Sequence, residues 1–245
     1  MPFFFTFIFF TFISMTILHI ETSTNVCSVA VSDNGKCIFS VSDNSGQNHA
    51  SMLSPFIQQA LESISSQNLS LNSVAVSSGP GSYTGLRIGV STAKGLCYGY
   101  DIPLIGVNTL EIMCEMVIKN HSLEKNALLC PMIDARRMEV YTAVYNQKIE
   151  KTQEISAEII NEQSFVSLLE NNVIYFFGNG AEKCKTTIQH PNAIFIENIE
   201  PYAENMISLA EAKFTNSKFE DVAYFEPFYL KEFQTTTPKK TSVTS

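Results

Sequence analysis

The chain has no tryptophan, no closely spaced cysteine pair and little charge. Acidic and basic residues make up 16% of it, and the acids outnumber Lys and Arg by 24 to 16, for a net charge of −8. A surface of that sign repels phosphate backbones, so direct nucleic-acid binding is not expected. Lys239-Lys240 lies in a polar tail too short to reverse the sign. The six cysteines, Cys27, Cys37, Cys97, Cys114, Cys130 and Cys184, are scattered and several sit in apolar runs. That usage suits reduced, buried thiols in a cytoplasmic protein rather than a disulfide framework. His19, His49, His121 and His190 are equally dispersed, and no metal site shows in their spacing. There is no HExxH, no nucleophile–His–acid set and no glycine-rich turn ending in Gly-Lys-Ser/Thr.

What is present is an ordinary globular composition, 45% hydrophobic over 245 residues, enough for one large or two small domains. The opening MPFFFTFIFFTFIS is apolar but too short to span a bilayer, and it lacks a basic start and a cleavage signature. Residues 1–14 are therefore expected to stand outside the fold, with Met15 as the working start and no membrane partner. An interfacial anchor is the alternative.

The chain is organised around Val74–Leu96, VAVSSGPGSYTGLRIGVSTAKGL. A β-branched strand runs into Gly79-Pro80-Gly81, and a helix from about Gly85 to Tyr98 follows, with Ser82 or Thr84 as its cap. The glycine spacing fits neither a dinucleotide turn nor a phosphate loop. Within the helix, Gly85, Gly89, Ala93 and Cys97 fall at steps of four, a seam that lets another helix approach closely. That helix belongs either to this chain or to another.

Around it the chain reads as βββαβαβα. Thr16–Glu21, Val26–Ser32 and Cys37–Val41 form a meander, with a hairpin turn at Asp33-Asn34-Gly35. Met52, Leu53, Phe56, Ile57, Ala60, Leu61 and Ile64 mark a helix with two adjoining apolar faces. Ile102–Val107 and Thr109–Lys119 complete a first half. The second repeats the theme: strands at Ala127–Asp134, Glu139–Tyr145 and Lys148–Ala157, a helix at Asn161–Leu169, a strand at Val173–Phe177, a turn at Gly178-Asn179-Gly180, a strand at Ile194–Ile196 and a helix at Tyr202–Lys213. Glu226–Leu230 packs back onto the fold. This predicts duplicated α/β domains at 15–122 and 123–234, and a disordered tail at 235–245.

ILHIETS at 17–23, SSGPGSYTGLRIGVSTAKGL at 77–96, PMIDARRMEVY at 131–141 and EPFYLK at 226–231 together resemble the bacterial TsaB (YeaZ) family. The resemblance implies an actin-like, Hsp70-like (ribonuclease H-like) ATPase fold. It also implies a part, with TsaD-, TsaE- and TsaC-type proteins, in making threonylcarbamoyladenosine beside the tRNA anticodon. The catalytic TsaD-type paralogue carries metal-binding histidines in a VNHxxGH-like motif; Thr109 and Met113 stand in their place, and neither replaces imidazole for a catalytic divalent ion. The chain is accordingly expected to be a non-catalytic scaffold, an inactive glycoprotease homologue. It would pair with the TsaD-like subunit through helices 49–65 and 85–98, by way of Met52, Phe56, Gly85, Leu86, Gly89, Val90, Ala93 and Cys97. A TsaE-like ATPase would join the larger complex, and a homodimer would form when the partner is absent. Gly89→Leu is expected to abolish pairing with the fold intact. No resident cofactor is expected; weak ATP or ADP binding at a subunit interface would draw on Glu21, Thr22, Ser23, Asp134, Gly178 and Gly180. A small ATPase or kinase of the same fold is the alternative. Arg87 is expected to have an acidic partner, and Asp134 to pair with Arg136 or Arg137.

Overall fold

The computed structural model describes residues 15–46 and 48–231; the expectations for 1–14 and 235–245 lie outside them. Two five-stranded sheets share one plan. The first has the order β3-β2-β1-β4-β5, from β1 (Thr16–Glu21), β2 (Cys27–Asp33), β3 (Lys36–Asp43), β4 (Leu71–Gly79) and β5 (Leu104–Asn108). The second has the order β10-β9-β6-β7-β8, from β6 (Leu128–Asp134), β7 (Glu139–Tyr145), β8 (Lys151–Ile159), β9 (Ile174–Phe177) and β10 (Ala193–Ile196). In each, a three-strand antiparallel meander is extended by two parallel strands, so the duplication read from the sequence is present. Parallel strands buried on both sides need near-continuous apolar runs, and β1 and β9 are buried along their whole length.

The helices are α1 (His49–Ser66), α2 (Tyr83–Tyr100), α3 (Thr109–Asn120), α4 (Val166–Leu169) and α5 (Ile207–Thr215). They do not respect the expected boundary near residue 122. Leu110, Met113, Cys114 and Val117 of α3, a first-half helix, pack with Leu129, Tyr145 and Phe177 of the second sheet. In return Met206 and Ala210 pack with Ile17, Ala75, Ile105 and Val107 of the first sheet, and Glu220 N–H donates to Leu104 O (2.9 Å). The stretch from about 203 to 228 thus packs mainly against the first half, although it follows the second sheet in the chain. The halves exchange elements because each central sheet has two faces to cover.

Two helices differ from expectation. Residues 161–169 are helical only over Val166–Leu169, because Phe165 adopts φ 63° at the cap and lays its ring edge-on to Phe176 (5.4 Å). The helix expected from Tyr202 starts as a 3₁₀ turn at Ala203–Met206 before α5.

Candidate functional site

The chemistry-bearing positions collect at the carboxyl ends of the parallel strands. At the end of β1, Glu21, Thr22 and Ser23 are fully buried. What covers them is the glycine stretch of the same chain. Ser82 N–H donates to Ser23 O (2.6 Å), Thr22 Oγ1 donates to Gly85 O (2.8 Å), and Ser82 caps α2 by accepting from Gly85 N–H (3.3 Å). A Cβ at Gly81 or Gly85 would strike the backbone oxygen of Ser23 or Thr22, and one at Gly89 would strike Thr22 Oγ1. The seam therefore exists, but it is filled by the β1–β2 turn and β4 of its own chain.

This corrects the residue-level interface. Gly85, Leu86, Gly89, Val90, Ala93 and Cys97 form the inward face of α2, and Phe56 is buried in the first core; of the eight residues expected to meet a partner, Met52 alone keeps partial exposure. Gly89→Leu is accordingly a change to the core. The signal that separates the two faces was in the sequence: Leu86 and Val90 flank the inner seam, whereas Thr84, Arg87 and Ser91 lie on the other side.

The outward face carries what sequence reasoning missed. Ser91, Gly95 and Gly99 are exposed at steps of four, and none of the described residues lies within 4 Å of where a Cβ would stand at Gly95 or Gly99. Tyr98 beside them is 86% exposed and Tyr100 53%. A shallow depression of about 520 Å³ runs from Tyr100 along Ile57, Leu61 and Ser65 of α1. Arg87 opens this face; its guanidinium lies 4.3 Å from the Tyr83 ring and hydrogen-bonds Tyr229, and the expected acid is present as Glu226, whose charge acts on it from further off.

The β1 turn has little left for an anion. Ser23 N–H donates to Glu21 Oε1 (2.5 Å) and Thr22 N–H to Ser77 Oγ (3.5 Å), so these two N–H groups are engaged within the chain, while the buried Ser23 Oγ has no partner in hydrogen-bond geometry among the described residues. Burial pushes the Glu21 carboxyl up to about 7 against opposing hydrogen bonds from Ser23 and Ser77, with Glu200 adding repulsion. Two residues upstream, His19 is fully buried, its Nε2 on Ser32 Oγ (2.8 Å), and burial pushes its imidazole down to about 3.

In the second half Asp134 pairs with Lys183 rather than with Arg136 or Arg137. Gly178 (φ 101°) lies where a Cβ would meet Met113 Cε and Met132 O, and Gly180 N–H donates to Met132 O (2.9 Å). Both glycines thus have a packing reason. A cavity of about 340 Å³ opens beside Gly178, lined among others by Asn179, Phe195, Asn198 and the acids Glu182, Glu197 and Glu200. Thr109 and Met113 are fully buried at the start of α3, which Asn108 caps by accepting from Leu110 N–H (2.9 Å). The Met113 thioether lies against the Gly178 turn. Among the described residues no group of His, Cys, Asp and Glu is arranged to hold a metal ion.

Comparison with known proteins sets this geometry in a family. A family model described as "TsaD: tRNA N6-adenosine threonylcarbamoyltransferase" matches residues 41–235. The chain is 29% identical over 226 residues to the tRNA threonylcarbamoyladenosine biosynthesis protein TsaB of Escherichia coli (strain K12), covering 89% of this chain and 95% of that one. It is 30% identical over 225 residues to the TsaB of Buchnera aphidicola subsp. Baizongia pistaciae, covering 89% and 98%. A solved structure of YeaZ from Pseudomonas aeruginosa superposes with a TM-score of 0.75 at 24% identity, covering 88% of this chain and all of that one. That likeness and the two matched sheets give the actin-like, ribonuclease H-like α/β fold.

Proposed function

The chain belongs to the TsaB (YeaZ) family, and from that premise we propose that it serves as the non-catalytic partner of a TsaD-type subunit in tRNA threonylcarbamoyladenosine synthesis. The outward face of α2, flanked by α1, is its docking surface. The observation that carries the docking surface is Gly95. A glycine inside an exposed helix costs about 1 kcal/mol against Ala. Gly85 and Gly89 offset that cost by fitting the β1 turn, whereas Gly95 meets nothing among the described residues. A second helix lying across Ser91, Gly95 and Gly99 supplies the offset, and Tyr98 and Tyr100 give it large side chains to bury against.

Chemistry then rests with the partner. The thioether and hydroxyl at Met113 and Thr109 are poor ligands for a catalytic divalent ion; both residues are buried, and the thioether packs against the Gly178 turn. The same reading places the protein in the cytoplasm, with a TsaE-like ATPase in the larger assembly, a self-paired dimer on the same face when the partner is absent, and no resident cofactor.

The test is native mass after co-expression of the full chain with the TsaD-type protein of its organism. Wild type should give a stable mixed complex. Gly95→Leu should lose it while keeping an unchanged circular dichroism spectrum and a melting transition no lower than that of wild type. An intact complex in Gly95→Leu would remove the outward face as the docking surface, and a wild-type chain that ignores the partner would overturn the functional reading.

A further inference from the structure

The chain has three arginines: Arg87, Arg136 and Arg137. Arg87 is held by Tyr83 and Tyr229. The other two stand side by side in the β6–β7 connection, closed by Ala135 N–H to Glu139 O (3.0 Å) and Glu139 N–H to Arg136 O (3.1 Å). Both adopt left-handed backbone, with φ 72° at Arg136 and 49° at Arg137. Asn and Gly fill such positions at far lower cost than a long side chain. The turn's own hydrogen bonds, with Arg136 N–H also donating to Asp134 Oδ1 (3.2 Å), hold that backbone, but they make no use of the two long side chains. Both side chains are exposed, and neither guanidinium makes an ion pair or hydrogen bond among the described residues.

The base beneath them is stiff. Asp134 N–H donates to Asn179 Oδ1 (2.9 Å), Lys183 pairs with Asp134 and donates to Glu139 O (2.6 Å), and Lys231 pairs with Glu139. Each acid flanking the tip is thus neutralised by its own lysine, which leaves two uncompensated positive charges on a rigid mount. The tip stands at the carboxyl end of β6, on the rim where the strand-end residues gather.

We propose that the Arg136–Arg137 tip grips phosphate groups of the RNA on which the paired subunits act. This rests on the family reading above. Adjacent guanidinium forks match the oxygens of phosphates in two-point contacts, which a lysine cannot make. The overall charge of −8 still opposes RNA over the surface at large. The tip is the local exception to the expectation drawn from composition. Phosphate contacts of this kind position the RNA and carry no sequence preference.

The double variant R136N/R137G separates binding from folding, because it removes both charges and relaxes the turn. Labelled transfer RNA is titrated between about 50 and 200 mM salt against the full chain, alone and paired with the TsaD-type subunit. In the variant, affinity should fall about tenfold and the slope of log K against log salt should drop by about 1.5. Its melting temperature should rise by about 2–4 °C. R136K/R137K should keep most of the slope and lose affinity. Unchanged affinity and slope in both preparations would overturn the proposal. So would unchanged RNA binding with weakened pairing, which would assign the tip to carboxylates of a protein, with Ile159, 69% exposed and in register with Glu139, as its apolar contact. Wild-type pairing, read by native mass, tests the family reading separately, and the titration of the chain alone then still decides the role of the tip.

Discussion

The two sides of α2 use the same residue types for opposite ends. Inward, Gly85, Gly89, Ala93 and Cys97 let the helix close onto the β1–β2 turn until backbone touches backbone. Outward, Ser91, Gly95 and Gly99 leave the helix bare, with exposed tyrosines at its end. A small residue in a helix marks a close approach, but its spacing does not say what approaches. The inner seam buries Glu21, and two N–H groups of the turn are engaged within the chain, Ser23 with Glu21 and Thr22 with Ser77. One face is closed by the chain's own backbone, and the other is open to solvent.

The largest effect that separates the faces is loss of the fold. At Gly89 a leucine must displace Thr22, and with it the Thr22–Gly85 hydrogen bond that joins β1 to α2. Overpacking plus the lost bond should cost about 3–5 kcal/mol, a large share of a typical domain's stability. Gly89→Leu should therefore be insoluble or show a sharply lowered denaturant midpoint, whether or not the partner is present. The same residue at Gly95 should leave that midpoint no lower than that of wild type. Equal midpoints for the two variants would dissolve the distinction between the faces.

Next in size is the charge state beneath the inner seam. Between the ordinary carboxylate value of 4.5 and about 7, the folded chain holds a proton on Glu21 that the unfolded chain has lost, so stability falls as pH rises through that window. His19 works the other way. Its imidazole titrates at about 3 in the folded chain against 6.5 unfolded, so stability falls as pH drops below 6.5. Between 4.5 and 6.5 the two slopes oppose each other, each about 1.4 kcal/mol per pH unit. Glu21→Gln should remove one of them. Relative to wild type, the variant should gain roughly 3 kcal/mol between about pH 5 and 8, measured by urea unfolding at each pH. Parallel pH profiles would show that Glu21 is ionised at no cost and that the turn is more open than its contacts imply.

Much of this was legible in the residues. Thr16–Glu21 and Glu139–Tyr145 were bounded as observed, because a β-branched or alternating run between turn residues leaves little choice. The duplicated plan followed from strand order alone. The exchange of α3 and α5 between the sheets did not, since amphipathic periodicity shows that a helix buries a face without showing against which sheet. At residues 161–169 local pattern lost to tertiary packing: Phe165 turns left-handed to reach Phe176. At the site, the sequence showed that α2 makes a close approach and implied a helix as its partner, whereas a strand-end turn fills the seam. The lone pair of arginines was visible as residue types, but their strained backbone and missing partners are properties of the hairpin.

The smallest effect is the most discriminating. Gly95→Ala adds one methyl group to open space on an exposed helix. If the glycine answers to nothing, the variant gains about 0.5–1 kcal/mol of stability, roughly 2–4 °C in melting temperature, and pairs as before. If a second helix lies across the face, the isolated chain still gains that stability while the mixed complex weakens, because the methyl group holds the two backbones apart. Ala at Gly99, in the last turn, should show the same opposition more weakly. A gain in the isolated chain coupled to a loss in the complex cannot come from intrachain packing, since one methyl group cannot both improve and spoil the same fold. We therefore expect the two measurements on Gly95→Ala to move in opposite directions, and movement together would return the outward glycines to helix propensity alone.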